Sequence, residues 1–97
     1  MAEYQVLYWK EIPAQIKVED GKQEVRRPLP ERFQATIDAI AMRQGEVGTD
    51  AYLQSWRWGS KQVREGTPEA VAEAIVAELD AAYPPKRLGE MIGETEV

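Results

Sequence analysis

The chain lacks cysteine and histidine entirely, although it is 97 residues long. This absence removes thiol nucleophiles, near-neutral imidazole bases and the ligands that zinc prefers. Disulfides and cysteine-ligated iron–sulfur clusters are excluded for the same reason. We therefore expect a cytoplasmic, non-enzymatic protein with no catalytic residues, no metal site and no cofactor.

Long hydrophobic runs and an excess of positive charge are also missing. No apolar segment approaches the roughly 20 residues of a membrane-spanning helix, and the first residues show no signal-peptide pattern. The net charge of −5 disfavours nucleic acid and anionic membranes as partners. What is present is 43% hydrophobic and 30% charged residues, with three Trp and four Tyr. This composition is typical of one soluble globular domain.

Residues 4–27 predict three antiparallel strands. Residues 4–9 are aromatic and branched, which is typical of a strand inside a sheet. Asp20-Gly21 predicts a type I′ hairpin over residues 14–27. Closing the hairpin there places Lys17 opposite Glu24 and sorts charged side chains onto one face of the sheet and apolar side chains onto the other.

Two helices and one further strand are predicted after the hairpin. A helix starts at Leu29-Pro30-Glu31 and ends before Gly45. Residues 51–58 alternate and predict a strand, which residues 61–64 extend in one reading. Thr67 and Pro68 are a helix N-cap and first residue, and this helix runs to about Ala82.

These elements predict an α+β fold, in the order βββαβα. We expect a two-layer sandwich, with a mainly antiparallel sheet of about four strands and two helices on one face. Residues 1–85 form the single domain. Residues 86–97 contain Gly89 and Gly93 and no strong pattern, so we expect a loosely ordered C-terminal tail.

The aromatic residues offer the main candidate site, and they have two interpretations. Trp and Arg are common anchors of protein interfaces, so an aromatic sheet face that the helices leave uncovered predicts an interaction surface. The other interpretation is that these rings fill the core between sheet and helices. The candidate binding residues are Trp9, Trp56, Arg57 and Trp58.

Three segments resemble a known bacterial family. They are the opening run Tyr4–Ile16, the helix start at Leu29–Phe33 and the segment Tyr52–Trp56. Together they resemble the small domain family described as virulence factor, and they are similar to the C-terminal domain of conserved virulence factor C type proteins. The resemblance covers residues 4–83 and implies an accessory module. It implies no activity, cofactor or catalytic residue.

The function expected from these observations is protein binding. We expect an accessory module that binds a protein partner, or forms a homo-oligomer, through the aromatic sheet face. The alternative is a small-ligand-binding accessory to an enzyme, in which Arg57 and the aromatic side chains hold a planar or anionic molecule. A deep pocket beside Trp58 favours the alternative, and a flat apolar face favours the protein partner.

Overall fold

The computed structural model describes residues 1–94, which form an antiparallel sheet and four helices. The strands are β1 (Ala2–Trp9), β2 (Ile12–Asp20), β3 (Gln23–Pro28), β4 (Trp56–Trp58) and β5 (Gln62–Arg64). The helices are α1 (Glu31–Arg43), α2 (Asp50–Gln54), α3 (Pro68–Ala82) and α4 (Pro85–Gly93). The strand order is β3-β2-β1-β4, and β5 pairs with the other half of β1. The predicted α+β class is confirmed.

The β2–β3 hairpin sorts its side chains as predicted, but its loop and register differ from the prediction. The loop is Gly21-Lys22 rather than Asp20-Gly21, and each residue of β2 faces a residue two positions further along β3. Gly21 has a φ of 61°, as the first position of a type II′ turn requires. The observed register pairs Val18 with Val25, an apolar pair, instead of a glutamine. Because the shift is even, no side chain changes face.

The predicted strand over 51–58 is wrong in its first half. Helix α2 forms there because Thr49 caps it: its hydroxyl accepts a hydrogen bond from the Tyr52 amide at 3.4 Å. At the other end, the Ser55 hydroxyl donates to the Ala51 carbonyl at 2.8 Å. Only the last three residues form a strand, and residues 62–64 then resume pairing along the same edge of β1.

Helices α1 and α3 begin and end close to the predicted positions. The chain leaves α1 through Gly45, whose φ of 67° suits a residue without a side chain. At the start of α3, the Thr67 hydroxyl accepts from the Ala70 amide at 3.2 Å, and Pro68 follows as the first helical residue.

The C-terminal segment differs from the loosely ordered tail predicted for 86–97. Helix α4 occupies most of it, and its Leu88 side chain is 2% exposed. Met91 and Ile92 pack against the same cluster, so apolar residues recur at helical spacing along one side. Residues 95–97 lie outside the described part of the chain.

The core consists of two clusters that α3 joins. Helix α3 covers one face of the sheet, packing Val71, Ala72 and Ile75 against apolar residues of β1 and β2. Helices α1 and α4 pack around Trp9 and Ile12, at the end of the sheet where β1 turns into β2. Two half-buried residues of α3, Val76 and Leu79, contact both clusters.

Candidate functional site

The side of the sheet opposite α3 carries mostly polar residues, and we call it the outer face. Strand pairing defines it in three rows across the strands. The rows are Trp58, Leu7, Gln15 and Pro28; then Gln5, Lys17 and Arg26; then Val63, Glu3, Glu19 and Glu24. Within residues 1–94, Trp58 is the one aromatic residue of these three rows, and it lies among charges of both signs.

Trp58 is the aromatic residue of the outer face. The residue is 38% exposed, a large fraction for Trp. The Lys17 ammonium lies 4.7 Å from the ring centroid, and the Arg26 guanidinium lies 6.0 Å from it. Cations at these distances are attracted to the negative face of the indole. The ring is thus held in place by residues of β2 and β3 while part of it stays open to solvent.

The carboxylates of the outer face form a row of like charges. Glu19 faces both Glu3 and Glu24 across the strands, an arrangement that by itself destabilises a sheet. Each carboxylate has a neighbouring cation: Lys17 lies 3.3 Å from Glu19, Arg26 lies 3.1 Å from Glu24, and Lys61 lies 3.9 Å from Glu3. These pairs reduce the repulsion and make the charge of the row locally balanced.

The four predicted binding residues do not form one patch. Trp9 is fully buried, and Trp56 is half-buried against the cluster around Trp9. Trp58 lies on the outer face, opposite Leu7 in the register. Arg57 points to the other side of β4, since side chains alternate along a strand. Its guanidinium lies 5.0 Å from the Tyr8 ring centroid. The structure therefore places Arg57 and Trp58 on opposite sides of the sheet.

Trp9 is a structural residue. Its indole N–H donates to the Tyr52 carbonyl oxygen at 2.9 Å, so the buried polar group is satisfied. The Tyr52 and Trp9 ring centroids lie 5.6 Å apart, and the Lys10 ammonium lies 4.8 Å from the Trp9 ring centroid. For Trp9 the core interpretation of the aromatic residues applies.

A cleft of about 640 Å³ lies on the Arg57 side of the sheet edge, next to α3. The contribution of Tyr83 and Gln62 to this cleft was not predictable from the sequence pattern. We call it the tyrosine cleft. Its lining residues are Tyr4, Val6, Tyr8, Glu11, Arg57, Gly59, Ser60, Gln62, Ile75, Glu78, Leu79 and Tyr83. The pocket thus lies beside Arg57, on the opposite side from Trp58.

The walls of the tyrosine cleft are held by ring contacts and close packing. The Tyr83 ring packs edge-on against Phe33, with centroids 5.9 Å apart, and the Arg87 guanidinium lies 4.1 Å from its centroid. A methyl group on Gly59 would come within 3.2 Å of the Tyr8 ring. Glycine therefore lets the edge of the sheet approach this ring closely.

The surroundings of Tyr8 in the tyrosine cleft shift the pKa of its hydroxyl. Burial raises the pKa of its hydroxyl above the usual value, and the neighbouring Tyr83 adds to this increase. The Arg57 guanidinium acts in the opposite direction, lowering the pKa of Tyr8 by favouring the phenolate. The increase dominates, so Tyr8 is a neutral hydrogen-bond donor at pH 7.

Metal binding and membrane insertion find no support in the described residues. Over residues 1–94, no group of three or more acidic side chains is placed to hold a metal ion. None of the helices in this range has both the length and the apolar character needed to cross a membrane.

Comparisons with known proteins identify relatives. The model of the family described as virulence factor matches residues 7–92. The uncharacterized protein YpgR of Bacillus subtilis is 36% identical over 77 residues, which cover 79% of this chain and 19% of that protein. Conserved virulence factor C of Staphylococcus saprophyticus is 28% identical over 88 residues, and that of Staphylococcus aureus is 30% identical. In both, the match covers 91% of this chain and 22% of the relative.

The chain thus spans about a fifth of the length of the curated relatives it matches. No solved structure matches it significantly.

Proposed function

The chain belongs to the virulence factor family, and we propose that it is a non-enzymatic cytoplasmic accessory module. It binds a protein partner, or a second copy of itself, through the outer face of its sheet. The observation that carries this proposal is the position of Trp58: the residue is 38% exposed, and Lys17 and Arg26 hold its ring on a sheet face. A partly exposed Trp that is surrounded by polar groups is typical of the anchor residues of protein interfaces.

The balanced charges around Trp58 favour a protein over a polyanion as the occupant. Lys17, Arg26 and Lys61 each lie beside a carboxylate, so the outer face offers no block of free positive charge. A protein surface with both charge signs complements such a face, and its charges set orientation more than affinity. Two faces that each carry charges of both signs also complement each other in a two-fold dimer.

The non-enzymatic part of the proposal rests on the sequence, because a chain without Cys and His lacks the commonest nucleophile–base pairs. The accessory part is supported by the relatives, in which about four-fifths of the protein lies outside the matched segment. The cytoplasmic part rests on the absence of Cys alone.

Light scattering over a concentration series tests self-association. If the outer face is the dimer interface, wild-type protein shows a dimer mass and the Trp58→Ala protein a monomer mass at equal concentration. Met42→Ala is the matched control, because Met42 is a 71% exposed apolar residue on α1. An equal fall in mass for both variants would contradict a specific role for Trp58.

If wild-type protein is a monomer, affinity capture from native cytoplasm tests the protein partner. The expected result is that specific partners bind to wild-type and Met42→Ala protein and are lost with Trp58→Ala. Circular dichroism confirms that each variant is folded. A folded Trp58→Ala protein that retains every partner would refute the proposed surface.

A further inference from the structure

We infer that the tyrosine cleft is a binding site for a small aromatic zwitterion, the chemical class of aromatic amino acids. The cleft lies on the opposite side of the sheet from Trp58, so this site is separate from the proposed protein-binding face. Its volume of about 640 Å³ falls within the range of small-molecule sites, which is roughly 300–1,000 Å³.

The aromatic part of the ligand follows from the walls of the cleft. Three tyrosine rings, Tyr4, Tyr8 and Tyr83, line it together with apolar side chains of α3. Aromatic rings favour edge-to-face or offset contact with a further ring. Within the described residues, the hydroxyl groups of these tyrosines make no hydrogen bond to protein groups, so they are available to polar atoms of a ligand.

The charged part of the ligand follows from which charges in the cleft are already paired. Glu78 is paired with Arg64 at 2.6 Å, so its carboxylate is compensated. Arg57 has no carboxylate within ion-pair distance anywhere in residues 1–94, and its guanidinium rests over the Tyr8 ring. Glu11 likewise has no cationic partner in this part of the chain.

Two uncompensated charges of opposite sign therefore face the same cleft. A ligand with only a carboxylate pairs with Arg57 but is repelled by Glu11. A ligand with only an ammonium group pairs with Glu11 but is repelled by Arg57. A molecule that carries both groups satisfies both side chains, and charge-assisted hydrogen bonds of this kind are stronger than neutral ones.

Three probes of similar shape test this inference: L-phenylalanine, hydrocinnamate, which lacks the ammonium group, and phenethylamine, which lacks the carboxylate. Binding to the full 97-residue chain is followed by NMR, through the ring signals of the cleft tyrosines. We expect L-phenylalanine to bind about tenfold more tightly than either analogue, because each analogue loses one charge-assisted contact.

Two variants assign the contacts. Arg57→Gln is expected to weaken L-phenylalanine and hydrocinnamate but not phenethylamine, and Glu11→Gln to weaken L-phenylalanine and phenethylamine but not hydrocinnamate. The matched controls are Arg43→Gln and Glu65→Gln, which remove the same charges from exposed positions that do not line the cleft. Amide NMR spectra check that each variant is folded.

The inference is overturned if hydrocinnamate binds as tightly as L-phenylalanine and Glu11→Gln has no effect, since the cleft is then a simple anion site. It is also overturned if none of the probes shifts the tyrosine signals. Neither result affects the proposal for Trp58, because that surface is measured through self-association and protein capture.

Discussion

Replacing Leu88 with alanine tests whether α4 is an integral part of the fold. Leu88 is 2% exposed and belongs to the cluster around Trp9 and Phe33. Truncating a buried leucine typically costs about 2–5 kcal/mol, because apolar contacts are lost and a cavity remains. For a domain of this size each kcal/mol lowers Tm by about 4–8 °C. As long as α4 stays docked, we therefore expect Leu88→Ala to lower Tm by at least about 8 °C.

The loss of unfolding free energy in Leu88→Ala has an upper limit if α4 can detach from the domain. In that case the measured cost does not exceed the free energy with which the helix docks, and the rest of the domain stays folded. Hydrogen exchange separates the two cases: detachment removes the protection of α4 amides alone, whereas a cavity lowers the protection of the whole core. Both cases require that Leu88 is buried.

The matched control is Leu53→Ala, the same substitution at a residue of α2 that is 66% exposed. Its unfolding free energy is expected to stay within about 0.5 kcal/mol of wild type. Chemical denaturation of the three proteins gives the comparison. If Leu88→Ala is as stable as Leu53→Ala, α4 does not dock on the core through Leu88.

Three further predictions follow from single contacts. Thr67→Ala removes the cap of α3 and is expected to lower the unfolding free energy, measured by denaturant titration, by about 0.5–2 kcal/mol. Asparagine is also a helix cap, so Thr67→Asn should recover most of this loss. Gly59→Ala forces a methyl group against the Tyr8 ring and is expected to lower Tm, whereas Gly89→Ala in α4 meets no atom within 4 Å and should not. The pKa of the Tyr8 hydroxyl is raised in the folded state, so the unfolded chain releases this proton at a lower pH than the folded chain. The contribution of Tyr8 to the unfolding free energy is therefore present below pH 10 and is lost as pH rises further. Tyr8→Phe should therefore flatten the alkaline fall in stability, and an unchanged fall would contradict the raised pKa.

Much of the fold was predictable from local signals in the sequence. The start of α3 depends on a Thr-Pro pair, and the end of α1 depends on Gly45 at positive φ. The presence of the hairpin was predictable. So was the face of the sheet on which each of its side chains lies, because side chains alternate with a period of two and an even shift of register leaves them on the same face. These features depend on residues close in the chain, so they can be read without knowing what packs against them.

The errors occur where distant contacts decide the structure. The alternation over 51–58 is typical of a strand, yet Thr49 caps a short helix there and Tyr52 packs on Trp9, which is far away in sequence. Helix α4 contains two glycines and only a short apolar pattern, and it forms against α1. In both segments tertiary packing outweighs weak local preferences.

The candidate site shows the same division between what alternation predicts and what packing decides. Alternation along β4 places Arg57 and Trp58 on opposite sides of the sheet, and the register with β1 confirms this. Alternation does not predict that α1 and α4 enclose Trp9 at the end of the sheet. Nor does it predict that Trp58 stays exposed, although Trp58 lies on the same side of β4 as the half-buried Trp56. One aromatic surface expected from sequence thus becomes two separate features: an exposed ring among balanced charges, and a tyrosine-lined cleft that Arg57 faces from the other side. Because Arg57 and Trp58 are adjacent in sequence but act on different sides, the single substitutions Arg57→Gln and Trp58→Ala can separate ligand binding from protein binding.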